Sequence, residues 1–321
     1  MTTPKKTLLP FMDDLGGSKE RKSAEAAHSR VDELLSIADP IERAQARLGL
    51  ILRDYQREAV EHLISGNNTI VHIPTGRGKS LIFQSAAVAL KSKGLTVVVY
   101  PLKALMKDQA ESAKRRGLNI IKIDGDLKRS DRALELERIQ DPSVDMLLTN
   151  PESIMASKAL RDAIYKRGVS LFAIDEAHVY DEWVPAFRGA YARLGFVIKG
   201  LNFPTILLCS ATITAQGAAD AVKSLGVYNW KVVKLRAIRE NLIFSDLPTK
   251  MDAFIANAAK NSLPSHMQAP GIVYFSWASS VNNARDALVK HYKADILTYT
   301  GQMSSKLRNS NQDVWMQGKR F

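Results

Sequence analysis

The chain reads as short apolar runs separated by amphipathic stretches. Thr69 to Ile73, Thr96 to Tyr100, Asn119 to Ile123, Asp145 to Thr149, Ser170 to Ile174 and Thr205 to Cys209 are each too short for a buried helix and predict strands. Between them Leu81–Leu90, Leu102–Arg116 and Arg129–Ile139 carry helical spacing. Apolar strands alternating with helices predict a parallel sheet covered on both faces, an α/β domain over residues 50–240. Around Asn241 to Met251 the pattern loosens. A fresh unit then begins with a strand at Gly271–Phe275, a helix at Ser279–Tyr292 and a strand at Asp295–Tyr299. Residues 241–321 thus look like part of a second domain. Residues 1–17 read as a loose tail. Residues 18–47 carry a weak helical pattern that Pro40 should end or kink, so residues 1–49 form a tail and helical arm.

Chemistry-bearing residues fall where the predicted strands end, which is where such sheets carry their sites. After the first strand comes Pro74-Thr75-Gly76-Arg77-Gly78-Lys79-Ser80, then a helix. Strand, glycine-rich loop and helix make a phosphate cradle. Gly76 and Gly78 let backbone N–H groups approach phosphate oxygens, and the helix N-terminus adds partial positive charge. Lys79 would reach the β- and γ-phosphates, and the Ser80 hydroxyl would ligate Mg²⁺. Asp175-Glu176 ends the strand at Ser170–Ile174, 96 residues beyond Lys79. Asp175 would hold Mg²⁺ and Glu176 would orient and deprotonate the attacking water. Taken alone, the pair is also an ordinary acidic helix start. His178 and the hydroxyls of Ser210 and Thr212 are placed to couple the nucleotide site to a partner site, although Ser210-Ala211-Thr212 also suits a helix cap. Gln56, 23 residues before Lys79, carries an amide donor and acceptor that suit the edge of adenine.

The 321-residue composition, 45% hydrophobic and 24% charged, is that of a soluble globular protein. No apolar run approaches the roughly 20 residues that a membrane span needs. Cys209 is the single cysteine, which fits a reducing cytoplasm and leaves no disulfide framework within these residues. In an apolar strand it reads as a core residue. His62, His72, His266 and His291 show no metal-ligand spacing. Net charge is +12, and residues 1–49 hold eight basic and eight acidic side chains, so the excess lies from residue 50 onward. A basic body points to a polyanion, nucleic acid first.

These motifs carry a family resemblance. Pro74-Thr75-Gly76-x-Gly78-Lys79-Ser80, Asp175-Glu176-Ala177-His178 and Ser210-Ala211-Thr212 resemble motifs I, II and III of superfamily-2 helicases, and the DEAH box in particular. Tyr100-Pro101-Leu102-Lys103-Ala104-Leu105-Met106-Lys107-Asp108-Gln109 is similar to motif Ia of the RecQ family. Trp183, Phe187-Arg188 and Tyr191-x-x-Leu194-Gly195 resemble its aromatic-rich loop, and Gly271 to Phe275 resembles its motif IV. The resemblance implies RecA-like domains and ATP-driven unwinding of DNA, 3′ to 5′, with ATP and Mg²⁺ as cofactors. Arg53, Gln56 and the loop residues Pro74, Thr75, Gly76, Arg77, Gly78, Lys79 and Ser80 would contact the nucleotide. Lys103, Gln109, Trp183, Phe187 and Arg188 would contact DNA, with aromatic stacking on bases worth about 1–3 kcal/mol each. Trp183 and Phe187 can also be read as core residues, the lesser of the two readings. Motifs V and VI have no counterpart before Phe321, and Arg236, Arg239 and Arg308 sit in no matching motif. The second RecA-like domain is therefore expected to be partial, and residues 1–321 to bind ATP but hydrolyse it slowly. An RNA helicase, and a nucleotide-dependent binding module without turnover, remain open alternatives.

Overall fold

A computed structural model describes residues 36–182, 185–202, 204–236, 272–292 and 296–317. The chain divides into two compact units, Met1–Glu240 and Asn241–Phe321.

Unit 1 is built on one parallel sheet. Its strands are β1 (Asn68–His72), β2 (Leu95–Val99), β3 (Ile120–Ile123), β4 (Met146–Thr149), β5 (Val169–Ile174), β6 (Thr205–Ser210) and β7 (Trp230–Lys234). Their spatial order is β3-β4-β2-β5-β6-β1-β7, every neighbouring pair parallel. The six predicted strands all form. β7 is the addition: its lysines and half-exposed face are those of an edge strand, where continuous apolar character is not required.

Alternation along each strand divides the core in two. Val71, Ile73, Val98, Leu207 and Cys209 join one apolar cluster with Val60, Phe83 and Met106. Those three come from helices Asp54–Ile64, Lys79–Ala89 and Lys103–Arg115. Ile70, Val97, Phe172, Ile174 and Leu208 join a second cluster with Leu160, Ile198 and Leu225, from helices Lys158–Arg167, Leu194–Gly200 and Ala215–Leu225. Cys209 is fully buried, as expected of a core thiol. The expected α/β architecture with helices on both faces is thus the one observed.

Pro40 opens a helix instead of ending one. Asp39 caps helix Pro40–Leu48, its carboxylate accepting from the N–H groups of Ile41 and Glu42 at 2.7 and 3.1 Å. Proline suits that position, since its missing N–H would go unused and its φ is preset. Ile41, Ala44 and Leu48 are buried in the first cluster, so this helix is part of the core of unit 1. Arg47 fixes it further through a bidentate pair with Asp145, 2.9 and 2.6 Å, just before β4. The tail and the start of the arm lie outside the described residues.

Among the described residues of unit 2 the helices are Ala278–Tyr292 and Ser305–Met316. The runs expected as strands are irregular over 272–275 and 296–300. A strand needs a paired neighbour for its backbone groups, and among the described residues these two runs do not pair. Among the described residues no helix is long and apolar enough to cross a membrane.

Candidate nucleotide site

The sheet brings the loops after β1, β5 and β6 to one edge, because these strands are parallel neighbours and all end there. The loop after β1 turns through Gly76 at φ 80° and Gly78 at φ 77°, a region that side chains disfavour. Gly78 is the N-cap of the helix Lys79–Ala89, whose first turn therefore begins at the loop, the end of a helix that carries free N–H groups in general. Pro74 is buried, Thr75, Gly76 and Arg77 are exposed, and Lys79 and Ser80 are half-buried. The Lys79 ammonium donates to the Ile73 carbonyl at 3.2 Å, bridging the two ends of the loop.

Gln56 is buried behind this loop. Its Nε2 donates to the carbonyls of Gly78 at 3.0 Å and Arg77 at 3.3 Å, and its Oε1 accepts from the Arg53 N–H at 2.9 Å. Tyr55 hydroxyl donates to the Arg77 carbonyl at 2.8 Å and accepts from the Arg53 guanidinium at 2.9 Å. Three residues at the start of helix Asp54–Ile64 thus brace the phosphate loop from behind.

Asp175 and Glu176 leave β5 opposite. The Asp175 carboxylate is buried and accepts the Glu176 N–H at 3.0 Å. Burial, then the neighbouring Glu176 charge, pushes its pKa up to about 7, against pulls from Lys79 and His178. Glu176 adopts φ 53°, which is unusual for a residue with a side chain. Its Oε2 lies 3.2 Å from His178 Nδ1, and this hydrogen bond holds the Glu176 carboxyl below its usual range. His178 Nδ1 also lies 3.3 Å from Ser210 Oγ, which itself accepts the N–H groups of Thr212 and Ile213 at 3.1 Å each. The backbone closes the same seam: Ile73 N–H donates to the Ser210 carbonyl at 3.1 Å and Ala177 N–H to the Cys209 carbonyl at 2.8 Å. Lys79, Asp175, Glu176, His178 and Ser210, predicted from separate stretches, therefore form one connected group.

A cleft of about 330 Å³ opens beside it, walled by Thr75, Leu102, Glu176, His178, Ala211 and Thr212. A second hollow, about 360 Å³, lies at the opposite end of the strands, among Leu63, Val169 and Thr205, where none of the motifs sit. Lys103 is exposed and paired with Asp126 at 2.6 Å. Gln109 is half-buried, with its Oε1 buried and unpaired among the described residues. Trp183 lies outside the described residues. Phe187 and Arg188 fall in helix Pro185–Ala192, but their side chains lie outside the described set. At the flanks of that aromatic stretch, Tyr180 and Tyr191 are buried edge to face, ring centres 5.6 Å apart. Behind the cleft wall stands a residue the sequence did not single out, His72, whose Nε2 lies 3.2 Å from the Ala211 carbonyl.

Residues 53–221, just over half of the chain, match the DEAD/DEAH box helicase family. The chain belongs to that family. The expected kinship with RecQ proteins is borne out among curated relatives of this DEAD/DEAH box chain. It is 34% identical over 229 residues to the probable ATP-dependent DNA helicase RecS of Bacillus subtilis, covering 68% of this chain and 43% of RecS. It is 30% identical over 275 residues to the RecQ-like DNA helicase blm-1 of Caenorhabditis elegans, covering 83% of this chain and 27% of that protein. It is 28% identical over 270 residues to the ATP-dependent DNA helicase RecQ of a Synechocystis strain, covering 82% and 56%. The chain thus spans from about a quarter to just over half of these relatives. Among solved structures, the helicase MrfA bound to DNA superposes with a TM-score of 0.69 at 18% identity, over 88% of this chain and 43% of MrfA. The Dbp5 protein of S. cerevisiae, bound to RNA and ADP BeF3, gives 0.64 at 15%, over 90% and 73%. At these identities the likeness is one of fold.

Proposed function

We propose that this chain is the ATP-driven motor of a RecQ-type DNA helicase, moving 3′ to 5′ along single-stranded DNA. The observation that carries the reading is the continuous bonded path from the phosphate-loop strand to Glu176, His178 and Ser210. It joins a phosphate cradle to a carboxylate base and to the segment expected to answer to nucleic acid. The RecQ names of its relatives favour DNA as the track.

In this mechanism the N–H groups of the loop and the Lys79 ammonium bind the β- and γ-phosphates, Lys79 exchanging its bond to Ile73 for phosphate oxygens. Glu176 is ionised at neutral pH and accepts a proton from the attacking water. Asp175 and Ser80 fit Mg²⁺: a buried carboxylate whose ionisation is disfavoured where it stands is one that a divalent cation would relieve. Bound there, Mg²⁺ would neutralise charge on the phosphates. His178 and Ser210 carry the state of Glu176 to Thr212 and the cleft wall.

The test is steady-state ATP turnover of the purified chain with no nucleic acid, with single-stranded DNA and with RNA of the same sequence. Stimulation by DNA above that by RNA is the expected result. Equal or greater stimulation by RNA would replace DNA as the track. Tight binding of ATP and DNA without turnover would reduce the chain to a nucleotide-dependent binding module.

A further inference from the structure

His72 ends β1 among Ile70, Val71 and Ile73, which are all buried in the core. A valine would suit that pattern at least as well, so the imidazole needs a reason. Register places His72 beside Ser210 of β6 on one side and Lys234 of β7 on the other. The ladder between β1 and β6 finishes there, and Ala211 and Thr212 leave the sheet to wall the cleft. At that exit the His72 side chain is half-buried, with Nε2 3.2 Å from the Ala211 carbonyl oxygen. A carbonyl only accepts, so Nε2 carries the hydrogen. The backbone of the same residue is fixed from the other side, its carbonyl accepting the Leu235 N–H at 3.0 Å. Ser210 Oγ meanwhile holds the N–H groups of Thr212 and Ile213. The Ser210–Thr212 turn is therefore pinned twice: by Ser210 from within, and by His72 from the strand that runs straight into the phosphate loop.

We propose that His72 is a positioning residue, locking the Ser210-Ala211-Thr212 turn to the phosphate-loop strand so that nucleotide binding and grip on nucleic acid change together. The inference rests on the helicase reading above for what the turn answers to. The lock itself rests on the geometry of β1 and β6. His72 lies in the strand and not in the phosphate loop or the cleft wall, so its loss should spare nucleotide affinity and remove the linkage. A glutamine, whose amide Nε2 also donates at a similar reach, should replace it. Valine fills the strand but leaves the Ala211 carbonyl without that donor.

The experiment compares the full 321-residue chain with His72→Val and His72→Gln. Amide hydrogen exchange over residues 211–213 reports the lock without reference to function. Exchange should quicken in the valine variant and return toward wild type with glutamine. The second reading is the ratio of single-stranded DNA affinities with and without a non-hydrolysable ATP analogue. In wild type a linkage of about fivefold or more is expected. It should fall toward one in His72→Val, with affinity for the analogue alone unchanged, and recover in His72→Gln. Unchanged exchange in His72→Val overturns the lock. Quickened exchange with the linkage intact overturns its role in coupling and leaves His72 a packing residue. A wild-type chain with no linkage refutes the helicase reading instead, and the exchange result then decides the lock alone.

Discussion

The Gln56 carboxamide nitrogen lies 3.0 Å from the Gly78 carbonyl oxygen, and a β-carbon built on residue 78 would come within 2.6 Å of that same nitrogen. Gly78 is thus held to glycine twice, by its φ of 77° and by the amide packed against it. Gly78→Ala should displace Gln56, cost about 1–3 kcal/mol in backbone strain and weaken nucleotide binding. Gln56→Ala tests what the amide is for. As a brace for the loop, its loss should weaken ATP and GTP binding alike. Weakening confined to ATP, measured by calorimetry, would mean that the amide reads adenine.

Lys79→Ala should remove tight ATP binding and leave the fold intact. Lys79 is half-buried and its ammonium donates to a backbone carbonyl, that of Ile73, so thermal unfolding should change by about 0.5 kcal/mol or less. Unaltered nucleotide affinity would remove this loop from the site.

Glu176→Gln should preserve nucleotide binding and abolish turnover. The amide keeps the length that reaches His178 but cannot take a proton. A rate drop of at least about 10²-fold is expected in single-turnover hydrolysis. Turnover at the wild-type rate would assign the base elsewhere.

Asp175 makes a prediction about stability and pH. Its folded pKa of about 7 lies above its ordinary 3.8, so the folded chain holds the proton more tightly than the unfolded chain. Without Mg²⁺, this carboxyl should therefore lower stability progressively as pH rises from about 4 to 7, with no further change above. The full effect is at most on the order of 4 kcal/mol. Asp175→Asn should raise the melting temperature in chelator at pH 8 and lose most of that gain at pH 4. Mg²⁺ should stabilise wild type and leave the variant unmoved. A variant less stable than wild type at pH 8 in chelator would contradict the burial argument.

Asp145 offers the corresponding case away from the site. Its fully buried carboxylate accepts from both terminal guanidinium nitrogens of Arg47, the Lys91 ammonium at 2.7 Å and the Asn119 N–H at 2.8 Å. Removing it strands a partly buried guanidinium and an amide. Asp145→Ala should cost about 3 kcal/mol in urea unfolding, and protease should then cut first near residues 36–48. A loss below about 1 kcal/mol would show the Pro40–Leu48 helix to be held by its apolar side alone.

Much of unit 1 was legible because most residues of β1 to β6 are buried, those of the edge strand β3 included. A strand covered on both faces is mostly apolar, so each of these six announces itself as a run. β7 is an edge, and Lys231, Val232 and Lys234 carry no such signal. Pro40 misled because proline stops a helix from within yet starts one from its first turn, and Asp39 was the cue to the second reading. The residues expected at the nucleotide were readable as candidates, since each is a chemical type at a strand end. His72 was not: its use depends on β6 lying beside β1, and no local pattern places two such distant stretches together. Gln56 is a candidate from its place before the loop, but its bonds to the loop's own carbonyls likewise depend on packing that no local pattern shows.

The strand order has a consequence for how the chain comes into being. β1 leaves the ribosome well before the groups that complete it. Asn68 pairs with Ile206 across 138 residues and with Tyr228 across 160. At roughly 5–20 residues per second, β1 waits on the order of ten seconds for its neighbours. During that interval Ile70, Val71 and Ile73 have no sheet to enter, and the nascent phosphate loop has no seam to close against. β2, β4 and β5 can assemble sooner, so the growing sheet offers an open edge at β5 until β6 arrives. Synthesis that stalls before residue 205 would leave that edge and β1 exposed together. Such stalled chains should be the species that chaperones capture and that aggregate first.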